Sequence, residues 1–291
     1  MRAVQFAFAA ASAAAMAVVV PYPEGVPSAG AKSPGAEAPR LVPLPADAIK
    51  RLRSDDPALV KSALDDVRTS GKAGAPAAPV IAELLEAGLP PLLTQAAIDT
   101  LGDTESEAGT AALVWYAQHR NVELRRAAVQ ALARTRGAAA VKALRSALSD
   151  PDPNVRGLAA TALGGMKAAE AEGDLFLALD HRVAEAAASI GQLCIANDCD
   201  RLAAKLGSVP FDVVTSGLDQ VLFRPPNEVS DDLKVKIVGR VRELGTGEAN
   251  RFLRDVQGKW PKTWSQRVKQ AIDQAVQATS ASPGTSKGDA Q

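Results

Sequence analysis

The chain has 291 residues, of which 47% are hydrophobic and only 4% aromatic, and its formal net charge is zero. Ala and Leu make up most of the apolar residues, and both favour helices, whereas strands favour β-branched and aromatic side chains. The composition therefore predicts an all-α fold. The neutral charge gives no general reason to expect a nucleic acid or an acidic substrate, so any charge signal must be local.

The N-terminus has the features of an export signal. Residues 1–20 contain one early positive charge, Arg2, followed by a run without charged residues, and Ala29 and Ala31 then form an A-x-A site. This order predicts a secretory signal peptide over residues 1–31 and a periplasmic or extracellular location. The interval between the run and the site is long, so an uncleaved inner-membrane anchor formed by residues 3–20 stays an alternative. A buried N-terminal helix is a second alternative.

Segments rich in Pro, Ala, Gly and Ser flank the body of the chain. Residues 32–46 are predicted to be a linker and residues 280–291 a disordered tail, because neither segment has enough apolar surface to form a core. Helical repeats are expected over residues 47–207. Divergent helical repeats that pack on the same array are expected over residues 208–279.

The body of the chain repeats itself. A shift of 31 residues places the stretch 121–149 on 152–180, and it aligns Ala128 with Ala159. Similar units recur on both sides at intervals of 28 to 34 residues, which indicates a repeat array. Each unit has two apolar stripes with residues three and four positions apart, and such a stripe predicts a helix with one buried face. The sequence therefore predicts consecutive helix pairs from about residue 56 to residue 278.

Polar residues and glycines mark the expected ends of these helices. Carboxylate and hydroxyl side chains are the preferred N-caps, and glycine commonly follows the last turn. N-caps are predicted at Asp56, Asp152, Asp180 and Ser208, a capping box at Thr263 and Gln266, and helix ends at Gly164, Gly191 and Gly245.

The stretch "DPDPNVRGLAATALG", residues 150–164, resembles the HEAT repeat of the bacterial PBS-lyase HEAT-like type. The resemblance implies a right-handed α-solenoid of stacked antiparallel helix pairs whose second helices line the concave side. It also implies that Arg125 and Arg156 reach the Asp region of a neighbouring repeat. A lyase or chaperone-like activity related to that family is an alternative to a binding role.

Residues typical of catalysis or metal binding are scarce. His119 and His181 are the only histidines, and neither has the spacing of a metal motif. Both are expected to be solvated or capping side chains. Motifs for a nucleophile, a phosphate-binding loop or paired carboxylates are not found. The sequence thus predicts a protein without catalytic residues, metal or cofactor.

Cys194 and Cys199 are the only cysteines, and they fall at the turn between two predicted helices. In an exported chain we expect them to form a disulfide, because oxidising compartments preserve such bonds. Two free buried thiols are the alternative.

An adjacent pair of aromatic residues suggests a contact with a partner. Trp115 and Tyr116 are adjacent on a second helix, so their side chains point about 100° apart, and one is expected in the core and the other near the surface. An exposed aromatic residue is a plausible anchor for a protein partner. The alternative is that both residues only contribute to packing.

Charge is unevenly distributed along the body. Residues 47–107 contain six basic and eleven acidic residues, whereas residues 234–269 contain ten basic and three acidic residues. The basic segment predicts an anionic partner such as an envelope polymer, a lipid head group or an acidic protein, with nucleic acid disfavoured by export. A solvated face without a partner is the alternative. Candidate partner contacts are Trp115, Tyr116, Lys142, Arg145, Arg251, Arg254, Lys259, Trp260, Lys262 and Trp264.

These features together predict an exported, non-catalytic scaffold that binds a protein or anionic partner in a cell-envelope assembly. A purely structural spacer is a further alternative. Contact with the membrane is expected only if the N-terminal segment stays uncleaved.

We predict that residues 1 to about 31 are absent from the mature protein, because the A-x-A site precedes Lys32. Intact-mass spectrometry of material purified from its natural host would then give a chain starting near residue 32. A mass that includes Met1 would contradict cleavage and support the anchor.

Overall fold

The computed structural model describes residues 42–280, and in this range α-helices are linked by short loops and 3₁₀ turns. The predicted signal peptide, the linker up to residue 41 and the tail from residue 281 lie outside the described residues. Within residues 42–280, no helix combines the length and apolarity that a membrane crossing requires.

The helices follow one another as the repeat pattern predicts. They are α1 Ala48–Leu52, α2 Pro57–Ser70, α3 Ala78–Ala87, α4 Pro91–Thr104, α5 Thr110–Tyr116, α6 Val122–Thr135, α7 Ala138–Ala147, α8 Pro153–Gly165, α9 Glu172–Asp180, α10 Glu185–Leu193, α11 Ala196–Ala203, α12 Phe211–Leu222, α13 Asp231–Glu243, α14 Gly247–Lys259 and α15 Gln266–Ser280.

These helices form two rows. In the first row, each even-numbered helix from α2 to α14 packs against the next even-numbered one. In the second row, α1 packs on α3, α3 on α5 and α5 on α7, and this order resumes with α11, α13 and α15. The fold is therefore an α-solenoid of stacked helix pairs, as the sequence predicts.

Small residues bring the first-row helices very close together. A methyl group on Gly191 of α10 would overlap the carbonyl oxygen of Gly217 on α12, and one on Gly217 would overlap the Ala187 carbonyl. A Cβ on Gly102 of α4 would lie 2.9 Å from the Cα of Ala131 on α6. Glycine is required at these positions because two backbones occupy the space of a side chain.

From α1 to α11, the helices of the second row contact one another less than the helices of the first row do. At the C-terminal end this difference reverses, because α13 and α15 pack extensively whereas α12 and α14 touch only slightly. That the second helices line the concave side stays a prediction from the resemblance.

One contiguous apolar core lies between the rows. It extends from Leu52 of α1 through Leu132 of α6 to Ile272 of α15, and it includes Leu218 and Ile237 of the divergent C-terminal region. The whole described array thus shares its core, which isolated helix pairs lack the apolar surface to form.

The predicted helix starts are correct at the first two aspartates. Asp56 accepts a hydrogen bond from the Ala58 amide, and Asp152 accepts one from the Val155 amide. The other predicted caps are wrong because the helices begin later. Asp180 is the last residue of α9, and Ser208 precedes α12 by a turn. Near α15, the Ser265 hydroxyl, not Thr263, accepts the bond from the Val268 amide.

The helix ends predicted at glycine residues are also only partly correct. Gly245 follows α13 with a positive φ of 60°, as expected at a helix end. Gly164 and Gly191 lie inside α8 and α10 and serve close packing instead. In the sequence these two glycines look like the helix-ending Gly245, but the structure needs them for close contact with a neighbouring helix.

One of the two predicted arginine contacts links neighbouring repeats. Arg125 donates two hydrogen bonds to Asp150 at 2.8 and 2.9 Å, and its side chain is only 14% exposed. Arg156 instead donates to the carbonyl oxygens of Asp150 and Pro151, which precede its own helix. Arg126 forms a further link to Asp152 in the next repeat.

We predict that Gly191→Ala lowers the free energy of unfolding by roughly 1–3 kcal/mol, because α10 and α12 must separate to accommodate the methyl group. Gly239→Ala in α13 is the matched control, since nothing lies within 4 Å of its added Cβ. The control should raise stability by up to about 1 kcal/mol through helix propensity. Equal effects of the two substitutions in chemical denaturation would show that the first-row contact is not tight.

Candidate functional site

The Trp115 groove is an open cavity of about 390 Å³ between α3 and α5 of the second row. It is lined by Leu85, Glu86, Ala111, Ala112, Trp115 and Tyr116. Small alanine side chains from α5, Ala111 and Ala112, form part of its wall.

Trp115 is the most prominent side chain of this groove. It is 63% exposed, whereas the neighbouring Tyr116 is only 6% exposed. The prediction that one of the two aromatics is buried and the other near the surface is therefore confirmed. Tyr116 crosses from α5 to α3, where its hydroxyl donates to the Leu85 carbonyl at 3.0 Å. Burial raises the pKa of Tyr116, so it remains a neutral donor.

Aromatic neighbours hold the exposed indole in place. The ring centroid of Trp115 lies 4.8 Å from that of Tyr116, with the planes at 80°, and 5.6 Å from that of His119. His119 accepts a hydrogen bond at Nδ1 from the Asn121 amide, which orients its ring. The indole thus presents a large apolar surface to solvent on a pre-arranged support.

The groove also carries a negative charge. Glu86 is exposed at its edge and has no ion-pair partner among residues 42–280. The nearby Glu83, one turn earlier on α3, pairs with Arg53 at 3.3 Å. The only formal charge on the groove wall is therefore an unneutralised carboxylate beside an exposed indole.

The two basic candidates of the middle repeats lie on α7. Lys142 and Arg145 are both exposed, and Arg145 pairs with Asp174 at 2.5 Å. This ion pair joins α7 to the following second-row helix α9. Neither residue lines the Trp115 groove.

Acidic partners neutralise much of the basic C-terminal segment. Lys259 pairs with Asp255, but the other partners come from outside residues 234–269. These pairs are Lys236 and Arg240 with Asp200, Arg267 with Asp232, and Lys269 with Asp273. Arg251 lines a shallow cavity together with Glu248 and Asp212, and Arg254 donates to the Ser280 hydroxyl. Lys262 is exposed.

The two remaining tryptophan candidates form an internal aromatic cluster. Trp260 is 7% exposed, Trp264 is half-buried, and their ring centroids are 5.4 Å apart. Lys234 lies beneath them, with its Nζ 4.6 Å from the Trp264 ring and donating to the Arg224 carbonyl at 2.5 Å. Burial lowers the pKa of Lys234. The Trp260 ring is occupied within the fold, which leaves it little surface for a partner.

The expected Cys194–Cys199 disulfide is present in the structure. Both cysteines are fully buried, and the bond joins the end of α10 to α11. The Cys194 carbonyl also accepts a hydrogen bond from Arg224 at 2.6 Å.

Acidic groups with a raised pKa occur at two separate places. Burial raises the pKa of Glu172 at the start of α9, and the nearby Asp198 adds to the rise. Burial also raises the pKa of Asp219 on α12. His119 lies beside Trp115, and His181 is exposed after α9. Within the part of the chain that the structure describes, no group of three metal-ligating side chains is found.

The sequence predicted the aromatic residues of the groove but not its carboxylate. The aromatic pair was visible because it interrupts a helix of small residues. Glu86 lies 29 positions earlier, and its place beside Trp115 follows only from the packing of α3 on α5. Charge counts along the chain likewise could not show that Asp200, Asp232 and Asp273 neutralise the basic segment.

The stacked pairs, their shared core and the loop contacts of Arg125 define the class of helical-repeat solenoid proteins. Within this class, the HEAT repeats family matches residues 78–164 and 110–190. Residues 78–190 therefore carry HEAT repeats. The search of curated proteins found no match.

Solved structures with similar folds include natural and designed proteins. The complex of CpcE and CpcF of phycocyanin lyase from Nostoc sp. PCC7120 matches with 19% identity and a TM-score of 0.42, over 87% of this chain and all of that chain. A designed armadillo repeat protein in complex with a (KR)4 peptide matches with 16% identity and a TM-score of 0.41, over 80% of this chain and 98% of that one. Likenesses at this level carry no argument about function.

We predict that Glu172→Gln raises stability at neutral pH. The Oε1 atom of Glu172 is buried without a hydrogen-bond partner in the described range, and burial penalises its ionised form. Because the folded-state pKa is raised, the native chain loses stability as the pH rises from the ordinary pKa of Glu through the raised one, where the unfolded state ionises first.

The gain of the Gln variant should therefore be complete at neutral pH and vanish below the ordinary pKa of Glu. Denaturant titrations at both pH values measure it, with exposed Glu170→Gln as the matched control. A gain that is independent of pH, or one shared by the control, would contradict burial of the charge as its cause.

Proposed function

We propose that the protein is a non-catalytic HEAT-repeat scaffold that binds a protein partner through the Trp115 groove. One observation carries this proposal, namely the 63% exposed indole on a wall of small apolar side chains. Isolated exposed apolar residues are common on proteins, but a large aromatic ring supported by two other rings beside an open groove is typical of a binding anchor.

A protein partner is favoured over an anionic polymer or a lipid head group. An anionic polymer needs a continuous positive field, whereas five of the ten basic residues in 234–269 have acidic partners within 4 Å. The unpaired Arg251 shares its cavity with two carboxylates. The positive field at this end is therefore weaker than the sequence count suggested.

We further propose that the scaffold acts outside the cytoplasm, in the periplasm or beyond the cell, within an envelope assembly. Two features support this location. The N-terminal residues have the order of a signal peptide, and Cys194 and Cys199 form a disulfide, which persists in oxidising compartments. The membrane anchor remains the competing proposal for residues 3–20.

We predict that Trp115→Ala weakens partner binding. Chemical cross-linking and affinity purification from the natural host would first identify a partner, and the purified partner would then be titrated against variants. Loss of a central aromatic anchor typically costs about 2 kcal/mol or more, which corresponds to at least roughly 30-fold in Kd.

Leu177→Ala is the matched control, because Leu177 is exposed on α9 and lies outside the groove. Its Kd should equal that of the unaltered protein. A pair of substitutions, Arg251→Ala with Arg254→Ala, tests the anion-binding end. Full loss of binding in that pair, with Trp115→Ala unchanged, would contradict the groove and favour an anionic partner.

A further inference from the structure

The Trp115 groove combines an apolar ring face with an unneutralised carboxylate, and this combination narrows the chemistry of its occupant. The indole of Trp115 is exposed, and Glu86 from α3 lines the same cavity. A cation over an indole face is attracted by the negative face of the ring, and tryptophan is the best side chain for this interaction.

The surrounding charge also favours a cation. In residues 47–107, all basic residues except Lys50 have an acidic partner within the described range: Arg51, Arg53, Lys61, Arg68 and Lys72. The acidic residues are in excess, and Glu86 is one of those left without a partner there. The N-terminal repeats therefore have a surplus of negative charge, to which Glu86 contributes at the groove.

The contacts of Tyr116 arrange the groove before an occupant binds. Tyr116 fixes α5 to α3 through its bond to the Leu85 carbonyl, and its ring supports the indole of Trp115 at 4.8 Å. Binding to a pre-arranged ring has a smaller ordering cost than binding to a mobile one. Within the fold, an arginine already lies over an aromatic ring, since the Arg201 guanidinium is 3.9 Å from the centroid of the Phe176 ring.

We propose that the Trp115 groove binds an arginine side chain of the protein partner, with the guanidinium plane stacked on the indole and its N–H groups donating to the Glu86 carboxylate. Arginine fits better than lysine because its planar guanidinium both stacks on aromatic faces and forms paired hydrogen bonds with a carboxylate. The proposal rests on the proposed function, since it specifies what the partner presents to that site.

The test uses the ¹⁵N-labelled protein and four capped tripeptides, Gly-X-Gly, in which X is Arg, Lys, Leu or Glu. The Nε1–H resonance of Trp115, assigned with a Trp115→Phe variant, is followed during each titration. The Arg peptide should shift this resonance in a saturable manner, the Lys peptide should bind more weakly, and the Glu peptide should not bind. The buried Trp260 provides an internal reference that should not move.

Glu86→Gln should weaken binding of the Arg peptide by about 2-fold to 5-fold, the range expected for an exposed ion pair, and leave any Leu-peptide shift unchanged. Glu83→Gln is the matched control, because Glu83 lies one turn away on the same helix and is already paired with Arg53. It should leave the Arg-peptide affinity unaltered.

A Leu peptide that binds as tightly as the Arg peptide would overturn the proposal and assign an apolar occupant to the groove. Equal losses of Arg-peptide affinity in Glu86→Gln and Glu83→Gln would also overturn it. They would show that the negative charge of this region, and not a direct contact with Glu86, attracts the peptide. Failure of all four peptides to shift the Trp115 resonance would exclude the arginine site. The scaffold function is judged separately, by whether the purified partner requires Trp115.

Discussion

The close backbone contact between first-row helices is the constraint on which the rest of the array depends. At Gly191 and Gly217 the two helices approach so closely that neither position can hold a methyl group. Hydrogen bonds reinforce the contact, as where the Ser189 hydroxyl donates to the Ala160 carbonyl of α8 at 2.8 Å. The second-row helices α3 and α5 contact each other less, and the Trp115 groove lies between them.

The Trp115 groove lies between two second-row helices that are joined at one point. α3 and α5 stay linked through the bond from Tyr116 to the Leu85 carbonyl, but the space beside this bond remains open. A larger side chain than Ala111 or Ala112 would fill the groove, so the small residues of α5 are as important to the site as its indole.

Much of the fold could be predicted from local patterns. The repeat, the helix pairs and the close cysteine pair are visible because residues three, four, five or thirty-one positions apart carry them. The caps at Asp180 and Ser208 were wrong because a shift of a few residues in a helix start is not encoded in the cap residue alone. The buried Trp260 could not be predicted, because its place in the core depends on contact with Phe223, which follows α12 and is distant in sequence.

Electrostatics show the same limit of local reasoning. The basic count of residues 234–269 suggested a positive patch, yet Asp200 neutralises Lys236 and Arg240 from a helix outside this segment. Conversely, Glu86 was unremarkable in an acidic segment, and only the packing of α3 on α5 places it beside Trp115. The charge that matters for binding is therefore the charge left after the fold has formed its ion pairs.

Site-specific photo-cross-linking from Ala87 tests the central claim most directly. Ala87 is exposed and follows the groove residue Glu86 on α3, but its own side chain does not line the groove, so a benzophenone side chain there reports on a partner and leaves the groove open. In cells of the natural host, illumination should join the scaffold to one protein, and the attached peptide should contain an arginine. The same probe at Leu177 should not capture this protein. Absence of a product at Ala87, or the same product from both positions, would contradict a partner-binding groove at Trp115.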